Sequence, residues 1–383
     1  MSAPVTVRRI GLAMVAPAIA IAASIAVSAL ILWIAGHDPW FALREVWSFG
    51  WERESVVSSI NRALPLFFSG LAFTIAFRNN LFHIGVEGEY RVAALLAAAI
   101  GTELALPAPL HLVAIVFIAM AAGAAWAGGI ALLKVRRGVH EVISSIMMNA
   151  IALALTAFLA RDRMRFKAND FDQSIKTELL PASGQLPSLN SWLEAVGIDL
   201  KRGFHLSGFL LPTIVVGVVF WYVMRNTRFG FDLRAAGMNP RAAQYAGVDP
   251  TRMIYTTMLL SGAIAGLIGL PYLLGESFQF DLTDFPQGLG FTGIAVALLG
   301  RGHPAGIAAA ALLFGWLDRV AQRLDLVEVP NSVILIMKGM IPLLVVVAYE
   351  VVRRTRRAQE AREVAAGVDP VSEAQAVGSG VAS

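Results

Sequence analysis

His83, Glu87, Glu89 and Arg91 are acid–base groups set in mainly apolar sequence, and Asn149 and Lys338 each place a polar group inside a largely apolar run. Ionisable groups in such surroundings serve proton relays or ion pathways, or pair with one another to hold structure. Glu87 and Glu89 are two residues apart, which turns them about 200° from each other on one helix, so they cannot act as a two-carboxylate pair. His83 and Glu87, four apart, share a helix face and could pair. Both lie toward the end of their apolar block, where capping or snorkelling costs little. A structural role and a place on a solute pathway therefore both stay open. Asn149 needs hydrogen-bond partners, either on neighbouring helices or on a permeating polar solute. Lys338 lies about 9 Å along its helix from Ser332, within reach of the edge of its block by snorkelling.

Other chemistries are excluded. The chain has no cysteine, which removes disulfides, thiolate nucleophiles and Cys-based metal sites. His140-Glu141 is not followed by the second histidine of a zinc-binding helix, and no other His, Glu or Asp grouping has metal spacing. No Gly-Lys dipeptide occurs, so there is no phosphate-binding loop and any nucleotide hydrolysis must come from another chain. The expectation is a chain with no metal, no cofactor and no catalytic residue of its own.

The elements that position these groups are apolar helices. Of the 383 residues, 57% are hydrophobic and 15% charged, a balance unlike that of a soluble enzyme, and the net charge is only +4. The apolar residues gather in blocks long enough to cross a bilayer, for which about 20 residues of helix suffice. Spans are expected at 10–37, 56–77, 82–104, 109–133, 143–160, 206–224, 256–274, 288–300, 304–320 and 332–350. The first follows Arg8 and Arg9 but is too long for a signal peptide, so it reads as an uncleaved helix. The fold expected is all-α and polytopic, with about ten transmembrane helices. Three of these are short or polar: those holding Asn61 and Arg62, His83 to Arg91, and the half-length pair around Gly300–Pro304. Broken helices are tolerated at membrane depth only where protein or a water-filled cavity surrounds them, so these segments should face inward. Residues 1–352 are expected to form the transmembrane domain and 353–383 a disordered cytoplasmic tail. Most Lys and Arg fall inside if both termini are cytoplasmic, although RDRMRFK at 161–167 then lies outside. The loop from Arg161 to His205 is then extracytoplasmic, either a partner contact or a solvated spacer.

One loop carries a specific design. In LRAAGMNPRAAQYAGVDPTR (233–252), Asn239 suits an N-cap, Pro240 the first helical position, and Gly247 a left-handed C-terminal cap. A short, doubly capped helix is encoded between two spans, its surface expected to be Ala242, Ala243, Ala246 and Tyr245. It either turns the chain or gives another protein a rigid docking element.

RNNLFHIGVEGEY (78–90), GVHEVISSIMMNAIA (138–152), TRFGFDLRAAGMNPRAAQYAGVD (227–249), SGAIAGLIG (261–269) and FTGIAVALLGRGHPAGIAAAALLFG (291–315) resemble the permeases of ABC importers in the branched-chain amino acid, ribose and nucleoside group. The likeness is closest to the nucleoside or simple-sugar permeases. It implies the bacterial inner membrane, a second, sister permease, an extracytoplasmic solute-binding protein, and cytoplasmic ATPase domains that hold the ATP and Mg. The family's coupling element maps onto Gly237, Asn239, Ala242, Ala243 and Gly247, to which Pro240 and Tyr245 add by position. His83, Glu89 and Lys338 depart from residues usual in the family, Asn, Gln and Gln respectively. His83, Glu87, Asn149 and Phe291 are the candidate pathway residues, and Phe77 offers a second aromatic face. The expected function is a conduit for a small polar solute, driven by a separate ATPase. The alternative is an ion-coupled secondary transporter, which keeps ionisable residues near mid-membrane and needs no docking elbow.

Overall fold

A computed structural model describes residues 22–23, 26–162, 164, 174–326, 336, 339–340, 344, 347 and 354. Lys338, most of the expected span at 332–350 and all of the tail except Arg354 lie outside the described residues. The described residues fall into two compact units, one within Met1–Ala42 and Val329–Ser383, the other within Leu43–Glu328. In the first, residues 26–34 are helical (α1) and bury Ser28 and Leu32.

The second unit carries the polar sites. After α2 (Pro39–Gly50), whose first four residues belong to the first unit, come α3 (Arg53–Arg78), α4 (Val86–Glu103), α5 (Ala108–Arg137) and α6 (Glu141–Asp162). A long loop holds the short α7 (Asn190–Ala195), followed by α8 (Leu210–Asn226), α9 (Arg228–Met238) and α10 (Pro240–Tyr245). The series closes with α11 (Pro250–Gly266), α12 (Leu270–Gly275), α13 (Leu289–Leu299) and α14 (Pro304–Leu326). Among the described residues, α3, α5, α6, α11 continued by α12, and α14 are each long and apolar enough to cross a membrane. The pair α8 and α9 would make another, bent by 68°.

Burial separates centre from periphery. The apolar windows of α3 and α11–α12 are 72% and 78% buried, whereas those of α5 and α6 are 28% and 22% buried. The central helices therefore meet mostly protein, and the outer ones turn side chains such as Val113, Phe117, Ile146 and Ile151 outward, as lipid-facing helices do. With no water to drive apolar faces together inside a bilayer, helices associate through close fit. On α5 and α11 the fit is backbone to backbone: a Cβ on Gly123 would strike the Gly262 carbonyl oxygen, and one on Gly262 the Gly123 carbonyl oxygen.

Three expectations change. The span read as 82–104 begins at Val86, because residues 79–85 leave α3 as a non-helical connection with Asn80 at φ 55°. The pair at Gly300–Pro304 is unequal: α13 has 11 residues, but α14 has 23 and is a full span. The segment after Asn226, read as a connection, forms an eleven-residue helix, α9, whose start is capped by Thr227 Oγ1 accepting the Gly230 N–H (3.3 Å).

The long loop is stitched down. Thr177 and Leu180 donate backbone N–H groups to the carbonyls of Phe280 (2.9 Å) and Phe278 (2.8 Å), Leu186 donates to Leu274 (2.8 Å), and Leu282 donates to Ile175 (2.9 Å). Buried His111 adds a clamp, with Nδ1 2.8 Å from Ser183 Oγ and Nε2 2.9 Å from the Gly101 carbonyl. Residues 174–205 thus pack over one end of the helices, called here the loop end, and α9–α10 mark the elbow end.

Gly262→Leu should force α5 and α11 apart and cost about 1–3 kcal/mol or more by overpacking. Gly129→Ala, whose added Cβ would meet only Met148 Cε at 3.5 Å, should be near neutral. Thermal unfolding of the detergent-purified protein checks both, and equal midpoints for the two variants would contradict the packing.

Candidate functional site

The polar groups meet where two helices begin partway across the protein. Ser69 Oγ donates to the Leu289 carbonyl (2.9 Å), which sets the first residue of α13 beside Ser69. At 1.5 Å per residue that is about 14 Å from the elbow end of α3, or mid-depth. The first turn of α4 sits at a similar level. Asn149, about 12 Å into α6, accepts the Gly88 N–H through Oδ1 (2.9 Å) and donates through Nδ2 to the Ile84 carbonyl (2.9 Å).

Glu87 joins the two helix starts. Its Oε2 accepts the Gly290 N–H (3.0 Å), and its Oε1 accepts the Gly288 N–H (2.9 Å), two of the backbone donors a helix start leaves without an internal partner. Tyr90 OH lies 2.8 Å from both Glu87 Oε1 and the Pro286 carbonyl, and Arg91 Nε lies 3.3 Å from Oε1. A negative group at a helix N-terminus is favoured by the helix dipole as well as by these bonds. Arg91, 4% exposed, balances the acid's charge on the next turn.

His83 does not pair with Glu87. It precedes α4 instead of lying on it, so the four-residue spacing carries no helical meaning, and its Nε2 sits 2.6 Å from Glu89 Oε1 with both side chains fully buried. Ser145 Oγ is 3.4 Å from Nδ1 of the same ring. Glu87 and Glu89 point to different partners, as their spacing requires. Glu87 also lies at mid-depth, not near a span end, because α4 itself starts there. Of the four candidate pathway residues, His83, Glu87 and Asn149 have their polar atoms engaged by protein, while Phe291 is 52% exposed on the first turn of α13. Phe77 is half exposed and stacks on Phe73.

Sequence reasoning missed Tyr90, Gly288 and Gly290. The run PQGLGFTG at 286–293 was the available signal, since glycines entering a helix mark a backbone that something approaches closely. A Cβ on Gly290 would come within 2.6 Å of the Glu87 backbone nitrogen. Glu141 was also passed over: it accepts the Phe82 N–H (3.2 Å) and pairs with Lys134 Nζ (2.7 Å), tethering the connection between α3 and α4.

The elbow forms as its residues suggest. Asn239 Oδ1 accepts the Ala242 N–H (3.1 Å), with Pro240 at the first position of α10. At the other end Gly247, at φ +82°, donates to Gln244 O (3.0 Å) and Val248 donates to Ala243 O (3.0 Å), the paired bonds of a Schellman cap. Ala243 is buried under that cap, so it belongs to the support and not to the outer surface. Tyr245, at 94%, and Met238, at 82%, project outward with Ala242 and Ala246. Asp249 Oδ1 then caps α11, accepting from Thr251 (2.8 Å) and Arg252 (3.2 Å). Gly237 brings α9 against α3, where a Cβ would strike the Arg78 carbonyl oxygen.

Residues 55–348 match the family described as the permease component of branched-chain amino acid transport systems. The chain is similar to the guanosine ABC transporter permease protein NupP of Bacillus subtilis, 37% identical over 338 residues that cover 88% of this chain and 93% of the relative. It is similar to the glucose ABC transporter permease protein TsgB13 of Haloferax volcanii, 34% identical over 257 residues covering 66% of this chain and 65% of the relative. A second Bacillus subtilis guanosine permease protein, NupQ, is 27% identical over 267 residues, 68% of this chain and 79% of its own length.

No atom lies within 4 Å of a Cβ built on Gly247, so the cost of replacing it is purely conformational. Gly247→Val should loosen the C-terminal cap of α10, and Gly247→Asn, which tolerates the left-handed region, should keep it. Limited proteolysis of the purified protein within 239–248 measures both, and equal resistance of the two variants would contradict the cap.

Proposed function

The chain belongs to the branched-chain amino acid transport permease family, and from that premise we propose that the solute it passes is uncharged, a nucleoside or a simple sugar. It is a permease subunit of an ATP-driven ABC importer and a multi-pass membrane protein, not itself an enzyme; ATP is hydrolysed by a separate ATPase. The observation that carries the solute class is the seat of Glu87. A helix that starts at mid-depth presents a positive end, which in a transporter can receive an anionic group of the solute. Here the chain's own carboxylate fills that position, and Arg91 balances it. An anionic solute would find the helix end occupied, whereas a neutral one needs only a face to stack on and hydrogen bonds. Phe291, exposed beside the junction, supplies such a face for a base or sugar ring. The relatives named for guanosine and glucose support the same class.

In this reading the elbow faces the cytoplasm, and Gly237, Asn239, Pro240, Ala242, Tyr245 and Gly247 form or shape the ATPase dock, with Ala243 beneath it. ATP and Mg bind the ATPase. Both termini are cytoplasmic, in a bacterial inner membrane. The two Bacillus subtilis relatives support a sister permease as the second half of the pathway. An extracytoplasmic binding protein delivers the solute at the loop end, where Leu179, Trp192 and Val196 stand exposed. The mid-depth position of Glu87 is a feature an ion-coupled carrier would share. Its oxygens are already engaged by Tyr90, Arg91 and the backbone N–H groups of Gly288 and Gly290, an arrangement that supports a fixed structural cap.

Both carboxylate oxygens of Glu87 accept, so Glu87→Gln must turn an amide N–H₂ toward one backbone donor. The variant should lose about 1–3 kcal/mol of stability, while the uptake that remains in proteoliposomes follows ATP and ignores an imposed pH gradient. An unchanged unfolding midpoint would refute the capping role, and uptake driven by the gradient would favour the ion-coupled carrier. Purified alone, the chain should hydrolyse no ATP, whereas the assembled complex should do so faster with loaded binding protein; robust hydrolysis by the chain alone would overturn the importer reading.

A further inference from the structure

We propose that Arg78 is the strut through which the coupling elbow moves α13, and with it the mid-depth junction. The inference rests on the importer reading above and adds a mechanical route to it. The last turn of α9 lies directly on the end of α3: a Cβ on Gly237 would strike the Arg78 carbonyl oxygen and stand 2.9 Å from Asn79 Cα. No side chain separates the two backbones, so the end of α3 cannot stay still if α9 is displaced toward it. The side chain of the same residue reaches a different element. Arg78 Nη2 donates to the Gly302 carbonyl (2.7 Å) in the turn between α13 and α14, and its guanidinium lies 5.8 Å from the Phe220 ring centroid on α8.

The turn it holds is tight and directional. Arg301 has φ 54° and Gly302 φ 64°, and Gly302 donates back to Ala297 O (3.1 Å), so the turn is continuous with the last turn of α13. That helix is about 16 Å long and ends at the two N–H groups held by Glu87. A helix transmits displacement along its axis with little give, because its backbone bonds run in that direction. The elbow, Arg78, the turn and α13 therefore form one unbroken series of contacts between the surface read as the ATPase dock and the start of the half-helix. Arg78 contributes a charge-assisted bond at the step from α3 to the turn, where a guanidinium can pull as well as push. It is a positioning residue, placed to act through α13.

Asn79 supplies the control. Its Nδ2 donates to Thr257 Oγ1 (3.2 Å) on α11, a bond of the same depth and neighbourhood that leads away from α13. The test uses the complete complex, with ATPase, sister permease and binding protein, in proteoliposomes and reads solute imported per ATP hydrolysed. Arg78→Met should lower that ratio about fivefold or more while the ATPase stays bound. Arg78→Lys, which keeps a cationic donor, should recover much of it, and Asn79→Ala should lower thermal stability but leave the ratio near wild type. An unchanged ratio in Arg78→Met overturns the strut, as does an equal fall in Arg78→Met and Asn79→Ala, which would mean general loosening. Loss of the ATPase from Arg78→Met complexes would make the residue part of the dock and overturn the proposal too. If wild-type uptake itself ignored ATP, the importer reading would fail first, before any variant was compared.

Discussion

A helix that begins in the middle of a bilayer leaves backbone N–H groups with no water to meet them, and each such group costs free energy until a partner is found. In this chain the requirement arises at α13, and Glu87 meets it with both carboxylate oxygens. The acid in turn would be costly without a counter-charge, which Arg91 provides from the same helix, with Tyr90 adding a hydrogen bond. Much of the surrounding architecture follows. α4 must start at the same depth to present Glu87, so the chain between α3 and α4 has to climb without helical bonds, and Asn149, Glu141 and the buried His83–Glu89 pair take up its polar atoms.

The central helix α3 then connects two places with opposite needs. At mid-depth it must let α13 come close, which it does with Ser69 and Gly70: the hydroxyl bonds Leu289, and a Cβ on Gly70 would meet Ile307 and Val296. At its end it must grip, and there Arg78 and Asn79 reach α13–α14 and α11 respectively. One helix carries a close-fitting surface and a polar terminus because bilayer interiors reward small residues and water-facing ends reward donors.

The legible part of the sequence was the part whose physics is local. Asn239, Pro240 and Gly247 announce a short capped helix because a cap is made with neighbours three or four residues away, and the structure places all three in those roles. The apolar blocks likewise gave the approximate bounds of α3, α5 and α6. What stayed hidden depends on distant partners or on where a helix truly begins. Glu87 and Gly288 are 201 residues apart, and nothing near either names the other. The pairing of His83 with Glu87 failed because helical spacing was applied across residues that are not helical, and Ala243 was assigned to the surface because burial beneath a cap depends on Val248, which follows it. The loop between α6 and α8 has a composition that suits either a spacer or a contact, and it takes its bonds to residues 274–282 and to His111 to show it tied down.

The separation of Glu87 from its helix also sets a clock. At about 5–20 residues per second a ribosome needs roughly 10–40 s to travel the distance between them, so α4 enters the membrane long before α13 exists. For that interval the acid lacks Gly288 and Gly290, and its partners within α4 are Tyr90, three residues on, and Arg91, four residues on. These two neighbours therefore serve the newborn protein as well as the finished one: they keep a charge tolerable in a half-built membrane protein until the late-arriving helix claims it.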